Sequence, residues 1–144
     1  MRKLAVLTAL IVLAFAAHRT ARATPDASHD DGSNLVGDWA GASVCGDGFP
    51  SCHDEQVVYH ITKPPDERGN VSVAADKVVN GRAEPMGVIE LKYDGARHTL
   101  TGELKNTRYH GVWEFKVEGG AMEGTLTLLP DKTVARRIKV KKVV

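Results

Sequence analysis

The stretch RYHGVWEFKVEGGAMEGTLTLL, residues 108–129, decides the fold because it contains two runs of alternating residues around a short Gly-rich connection. In the first run, alternate positions share one apolar face, formed by Tyr109, Gly111, Trp113, Phe115 and Val117. The second run repeats this alternation with Met122, Gly124, Leu126 and Leu128. A period of two predicts β-strands, and the EGGA connection predicts a turn between antiparallel neighbours.

The same pattern recurs along the chain and predicts eight strands, at residues 35–44, 55–63, 70–76, 86–93, 97–104, 108–117, 122–129 and 133–143. Short links make each strand an antiparallel neighbour of the next. Eight such strands form either a β-sandwich or an up-and-down barrel that leaves no free edge. Glycines with the parity of the core favour tight coiling, namely Gly41, Gly102, Gly111 and Gly124. We therefore predict an all-β, eight-stranded antiparallel up-and-down barrel, with a β-sandwich as the alternative.

The N-terminus has the pattern of an export signal. Arg2 and Lys3 precede an apolar run at residues 4–17, and small residues at 21–23 suit a signal peptidase. A membrane anchor is the alternative, but no later stretch is apolar enough to span a bilayer. We predict a Sec-type signal peptide at 1–23, a disordered polar leader at 24–34 and a barrel domain at 35–144. The protein is then periplasmic or extracellular, with no membrane span in the mature chain.

The charge of the chain is uneven. The formal net charge is +1, and loss of the signal's Arg and Lys residues makes the mature chain net acidic, which argues against a nucleic-acid binder. Residues 24–56 contain seven acids and no Lys or Arg, whereas residues 130–144 contain six bases and one acid. If the first and last strands pair, these segments become neighbours, and closure is favoured electrostatically by a small amount, about 0–1 kcal/mol per exposed pair.

Cys45 and Cys52 are the only cysteines. In an exported chain such a pair is expected to form a disulfide. Zinc bound by both cysteines and His53 is the competing hypothesis, but the spacing is not that of a standard zinc site and no second Cys/His cluster completes four ligands. We expect a disulfide, no metal and no cofactor.

The chain resembles the calycin group, which comprises lipocalins, avidins and small bacterial relatives. The resemblance rests on Gly37, Asp38 and Trp39, which are similar to the Gly-x-Trp that opens the first strand of that group. In lipocalins a late basic residue packs across this Trp at the closed end, so the resemblance implies that Arg136, which has inward parity, packs over Trp39. Two family features are missing: a C-terminal helix and the polar set that avidins direct at biotin.

Several large residues share the inward parity of the predicted core. They indicate either a packed core or a cavity that binds a small apolar ligand, with candidate ligand-binding residues Trp39, Tyr59, Tyr93, Tyr109, Trp113, Met122 and Arg136. The alternative function is a non-enzymatic interaction protein, such as a small secreted protease-inhibitor-like barrel that inserts its N-terminal leader into a partner.

A catalytic site is not expected. His53, Asp54 and Glu55 are adjacent, and successive side chains on an extended strand face opposite ways, so they do not converge. No Gly-x-Ser-x-Gly motif is present. We therefore expect a binding protein rather than an enzyme, with these three residues at the rim of the barrel.

Overall fold

A computed structural model describes residues 30–144 as a closed barrel of eight antiparallel strands, each hydrogen-bonded to the next and β8 to β1. The predicted up-and-down barrel is thereby confirmed, and the closing β1–β8 ladder excludes the sandwich. Within this part of the chain, no helix has the length and apolar character to cross a bilayer. The strands are β1 (Gly37–Cys45), β2 (Glu55–Ile61), β3 (Asn70–Val79), β4 (Arg82–Asp94), β5 (Thr99–Lys105), β6 (His110–Glu118), β7 (Ala121–Leu128) and β8 (Thr133–Lys142).

The interior is filled by the alternate residues that the sequence pattern selects. At its centre, the Phe115 ring stacks on Trp113 with 5.9 Å between centroids and meets the Tyr59 ring edge to face at 6.1 Å. Aromatic contacts of this kind add about 0.5–1.5 kcal/mol each beyond the area that they bury. The remaining buried core is mainly aliphatic, and includes Val57, Ile61, Val71, Val73, Leu91, Leu100, Val117, Met122, Ile138 and Val140.

The first and last strands close the barrel from Trp39 opposite Lys142 to Cys45 opposite Arg136. The predicted meeting of acidic and basic segments is seen in one ion pair, between Arg136 and Glu55 at 3.2 Å. The outer face of this ladder does not show the expected pairing of acids with bases, because the outward-facing cations of β8 lie opposite small apolar residues of β1. These cross-strand neighbours are Arg137 and Val44, Lys139 and Ala42, and Lys141 and Ala40.

One end of the barrel, here called the closed end, is sealed by the residues that precede β1. A 3₁₀ turn at Ser33–Leu35 places Leu35 in the core, and its carbonyl accepts a hydrogen bond from Trp39 Nε1 at 2.8 Å. Trp39 is completely buried. The signal peptide (1–23) and residues 24–29 of the predicted leader lie outside the described residues. Residues 30–34 of that segment pack across this end.

Asp30 fixes this N-terminal segment to the β4–β5 turn. Its Oδ2 accepts hydrogen bonds from the Tyr93 hydroxyl at 2.8 Å and from His98 Nδ1 at 3.1 Å, and its Oδ1 accepts one from the Gly32 amide at 2.9 Å. These donors, the Gly32 amide first, hold the pKa of Asp30 below its ordinary value. Burial first, then the hydrogen bond that the Tyr93 hydroxyl donates to Asp30, and then the Asp30 charge, raise the pKa of Tyr93. The carboxylate is therefore favoured in the folded state.

The basic residue over Trp39 is Lys142, not Arg136. Lys142 Nζ lies 5.6 Å from the centroid of the Trp39 ring and donates a hydrogen bond to the Asn34 carbonyl at 2.7 Å. Arg136 lies at the opposite end of β8, beside Cys45. The prediction was wrong because parity selects the face of a strand but not the position along it.

The β3–β4 hairpin is longer than predicted. Its turn contains only Asn80 and Gly81, both with positive φ (52° and 76°), as an Asn-Gly hairpin turn requires. The alternation predicted strands at 70–76 and 86–93, with a turn between them. The strand continues through Pro85 because it pairs with β3 on one side only there, and Pro is tolerated on such an edge.

Candidate functional site

The open end of the barrel, opposite the closed end, is partly covered by the loop at residues 45–52. Cys45 and Cys52 are joined in a disulfide, as predicted. The loop is held at its base by the Gly46 amide, which donates to the Ala135 carbonyl at 2.9 Å, and by the Cys45 amide, which donates to Asp54 Oδ1 at 2.8 Å. These contacts set the loop over the β8 side of the opening.

A cavity of about 450 Å³ lies beneath this loop. Its wall is mainly apolar, and Arg136 is the one charged residue in it. A volume in this range, apolar walls and a few polar groups are typical of small-molecule sites. The lining residues are Gly48, Phe49, Pro50, Ser51, Cys52, Leu104, Tyr109, Leu126, Leu128, Ala135 and Arg136.

Arg136 is held at the edge of this cavity by contacts from β1 and from the start of β2. Its Nη1 donates to the His53 carbonyl at 3.0 Å and to the Ser43 carbonyl at 3.3 Å, and lies 3.2 Å from Glu55 Oε2. Within residues 30–144, each of its recorded hydrogen bonds and ion pairs uses Nη1. The guanidinium is thus oriented through one nitrogen. Its other N–H donors can then bond to a polar group of a ligand.

Tyr59 lies deeper in the barrel. Its ring is buried, and this burial is the main reason that its pKa rises to about 12. The nearby Arg136 charge acts in the opposite direction and Glu55 in the same direction. Tyr59 therefore stays a neutral phenol at physiological pH, and Arg136 and Glu55 supply the charges near the open end.

The seven predicted ligand-binding residues do not converge. Tyr109 and Arg136 line the open-end cavity, and Tyr109 is 51% exposed rather than inside the barrel as its parity suggested. Tyr59 and Trp113 belong to the central aromatic group. The other three lie toward the closed end, namely Trp39, Tyr93 and Met122. A ligand-binding role for any of the seven remains a prediction.

Most of the cavity wall was not singled out by sequence reasoning. Leu126 and Leu128 were recognised as inward-facing, but nothing in the alternation separates a residue that lines a cavity from one that fills the core. Phe49 and Pro50 reach the wall only because the loop folds back over the opening. The disulfide was the available signal, since it predicts that the eight-residue segment turns back on itself at the end of β1.

His53 and Asp54 are exposed, while Glu55 begins β2 and pairs with Arg136, so all three lie at the rim. Asp54 has a local role as the acceptor for the Cys45 amide. Among residues 30–144, no group of three or more His, Cys, Asp or Glu residues is placed to hold a metal ion.

The protein is an eight-stranded antiparallel barrel with one sealed end and one apolar opening, which is consistent with a calycin-like fold. No protein-family model matches the chain, and no curated protein matches it significantly.

Proposed function

We propose that the protein binds a small apolar ligand in the open-end cavity and acts as an exported carrier rather than an enzyme. The observation that carries this proposal is the 450 Å³ space beneath the disulfide-closed loop, which has an apolar wall and a single fixed cation. Export is supported by the disulfide, since such bonds persist in oxidising compartments.

The ligand is held chiefly by the apolar wall. Leu126, Leu128 and Ala135 form the barrel side of the cavity, and Phe49 and Pro50 form the loop side. Burial of apolar ligand surface contributes about 25 cal/mol per Å² before the costs of binding. Arg136 supplies orientation, because a ligand group that accepts hydrogen bonds is favoured next to the guanidinium.

The alternative function, insertion of the N-terminal leader into a protein partner, has less support. Residues 24–29 lie outside the described part of the chain. Residues 30–34 are packed across the closed end, where Asp30 and Asn34 bond to Tyr93 and Lys142. That end is opposite the apolar opening.

The proposal is tested with 1-anilinonaphthalene-8-sulfonate, an apolar fluorescent probe that has one anionic group. The mature protein should bind it at one saturable site, and Phe49→Asp should weaken binding about tenfold or more because it places a charge in the apolar wall. Val44→Asp is the matched control, since Val44 is exposed on the outer face of β1. Equal affinity of the two variants, with both folded, would rule out the open end as the site.

A further inference from the structure

The outer face of β8 carries a line of exposed cations, here called the basic row. Its members alternate with buried residues of the same strand, so their side chains point away from the core. Neighbouring members are about 6.7 Å apart along the strand, which makes the row about 13 Å long. The basic row consists of Arg137, Lys139 and Lys141.

The neighbouring strands neutralise little of this charge. On β1 the cross-strand neighbours of the row are Val44, Ala42 and Ala40, and on β7 they are Thr125, Glu123 and Ala121. Glu123 is thus the one acid among them, and it lies 3.5 Å from Lys139 with both side chains mainly exposed, so the pair is weak. Within residues 30–144, Arg137 and Lys141 form no ion pair. Most of the positive charge is therefore directed at solvent.

An exposed valine stands at each end of the basic row. Val44 lies opposite Arg137 and is 43% exposed. Val143 continues the outward alternation after Lys141, is 55% exposed, and is held to β1 by its amide, which donates to the Asp38 carbonyl at 2.8 Å. The side of the barrel along β8 and β1 thus combines a line of cations with apolar side chains at both ends.

We propose that the basic row, together with Val44 and Val143, docks the protein on the surface of a bilayer that is rich in anionic phospholipid. This inference goes beyond the binding of a ligand in the cavity and does not depend on it. Each Lys or Arg held near an anionic bilayer strengthens binding about fivefold. The two valines add to this because they bury apolar surface in the interfacial region of the bilayer.

The surroundings of the row favour a bilayer over a soluble polyanion. The nearest groove, beside Val44, is lined by the carboxylates of Asp54 and Glu55 and by one cation, Lys77, which pairs with Glu84. A polyanionic chain that followed this groove would be repelled by the two carboxylates, and it would gain nothing from exposed valines. A bilayer instead meets the convex wall of the barrel along the row itself.

Sedimentation with vesicles tests the docking. The mature protein should sediment with vesicles of mixed phosphatidylglycerol and phosphatidylcholine, and should stay in solution with vesicles of phosphatidylcholine alone. Binding should weaken as salt is added, because the Debye length falls from about 30 Å at 0.01 M to about 8 Å at 0.15 M. Equal binding to the two kinds of vesicle, or to neither, would overturn the proposal.

Removal of the row should abolish most of this binding. The triple variant Arg137→Gln/Lys139→Gln/Lys141→Gln loses three contributions of about fivefold each, so its affinity for the mixed vesicles should fall about a hundredfold. A loss of less than about tenfold in the folded variant would show that the row is not the docking site. Glu123→Gln should act in the opposite direction and strengthen binding, since it removes the acid beside Lys139.

A matched control separates the position of the charges from the net charge. The triple variant Lys92→Gln/Lys105→Gln/Arg108→Gln removes the same charge from exposed residues on β4, on β5 and in the turn that follows, across the barrel from β8. Its affinity for the mixed vesicles should fall less than about threefold. Equal losses in the two triple variants would overturn the proposal, because binding would then follow net charge alone.

The valines distinguish a bilayer from a soluble polyanion. Val44→Ser/Val143→Ser should weaken binding to the mixed vesicles about fivefold and leave any binding to heparin, a sulfated polysaccharide, unchanged. Thermal unfolding of each variant shows whether it is folded. If the serine variant binds vesicles as tightly as the unchanged protein, or if loss of the basic row reduces heparin binding but not vesicle binding, the row is a site for soluble polyanions and the bilayer proposal is overturned.

Discussion

The two ends of the barrel are built in opposite ways. At the closed end, Trp39 is fully buried, Lys142 covers its ring, and Asp30 ties the N-terminal segment to the β4–β5 turn. At the open end, Tyr109 is half exposed, a cavity remains beneath a loop, and the loop is closed by a disulfide instead of by a packed core.

This difference separates stability from binding. A closed-end residue contributes to stability through burial and satisfied hydrogen bonds, because its neighbours fill the space around it. An open-end residue keeps apolar surface that its own fold does not cover, and that surface is available to a ligand. Substitutions at the two ends should therefore change different measurements.

The largest effect is expected for Trp39→Ala. Removing a fully buried indole, together with its hydrogen bond to Leu35, should lower the free energy of unfolding by about 3–5 kcal/mol. Tyr109→Ala should change it by less than about 0.5 kcal/mol, since half of that side chain is exposed. Urea denaturation of both variants makes the comparison, and similar losses would show that the two ends are equally important for stability.

Removal of the disulfide should have an intermediate effect on stability and a large one on binding. The Cys45→Ala/Cys52→Ala double variant frees a short loop, which costs about 2–3 kcal/mol in the chain-entropy account. The same change releases Phe49 and Pro50 from the cavity wall, so affinity for the naphthalene probe should fall while the closed end keeps its fold. Unchanged probe affinity in the double variant would show that the loop is not part of the site.

A smaller effect is expected for the cation over Trp39. Lys142→Ala removes the contact with the ring and the hydrogen bond to Asn34, and should destabilise the protein by about 1–2 kcal/mol. Its neighbour Lys141 faces outward and is exposed, so Lys141→Ala should stay within about 0.5 kcal/mol in the same thermal unfolding assay. If Lys141→Ala were the more destabilising of the two changes, the cation over Trp39 would not be the contact that seals this end.

The smallest effect is a pH dependence on the outer wall. His60 Nδ1 lies 2.7 Å from Asp38 and Nε2 lies 3.2 Å from Asp76, and these hydrogen bonds, Asp38 first, raise the pKa of His60. Because its pKa is higher in the folded state, His60 contributes its full stabilisation at pH values below its unfolded pKa of about 6.5. This stabilisation is lost as the pH rises through the folded pKa.

The unfolding free energy should therefore decline from about pH 6 to pH 9 by under about 1 kcal/mol relative to His60→Gln, because the pair is partly exposed. If the unfolding free energies of the two proteins changed in parallel with pH, the charge of His60 would not link β1, β2 and β3.

The sequence predicts the wall of the barrel better than its ends. Alternation identified all eight strands, since burial of one face imposes a period of two wherever a strand lies. It placed Arg136 on the inner face correctly but could not show that Cys45, rather than Trp39, is its cross-strand neighbour, because that depends on the β1–β8 register. The short β4–β5 ladder, which has three residue pairs, was not foreseen, since it depends on strand register and a bulge rather than on residue type.

Closure by β1 and β8 also determines the order in which the domain can form. Strands β1 to β7 each find their next partner nearby in the chain, but the ladder from Trp39 opposite Lys142 joins the two ends of the domain. Pairing of such distant segments is slow, since the loop-closure entropy is lost before the contacts form. Trp39 lies on the first strand of the barrel to be synthesised, and its covering residue Lys142 lies on the last. The indole at the centre of the closed end therefore stays without its cover until almost the whole domain has been made.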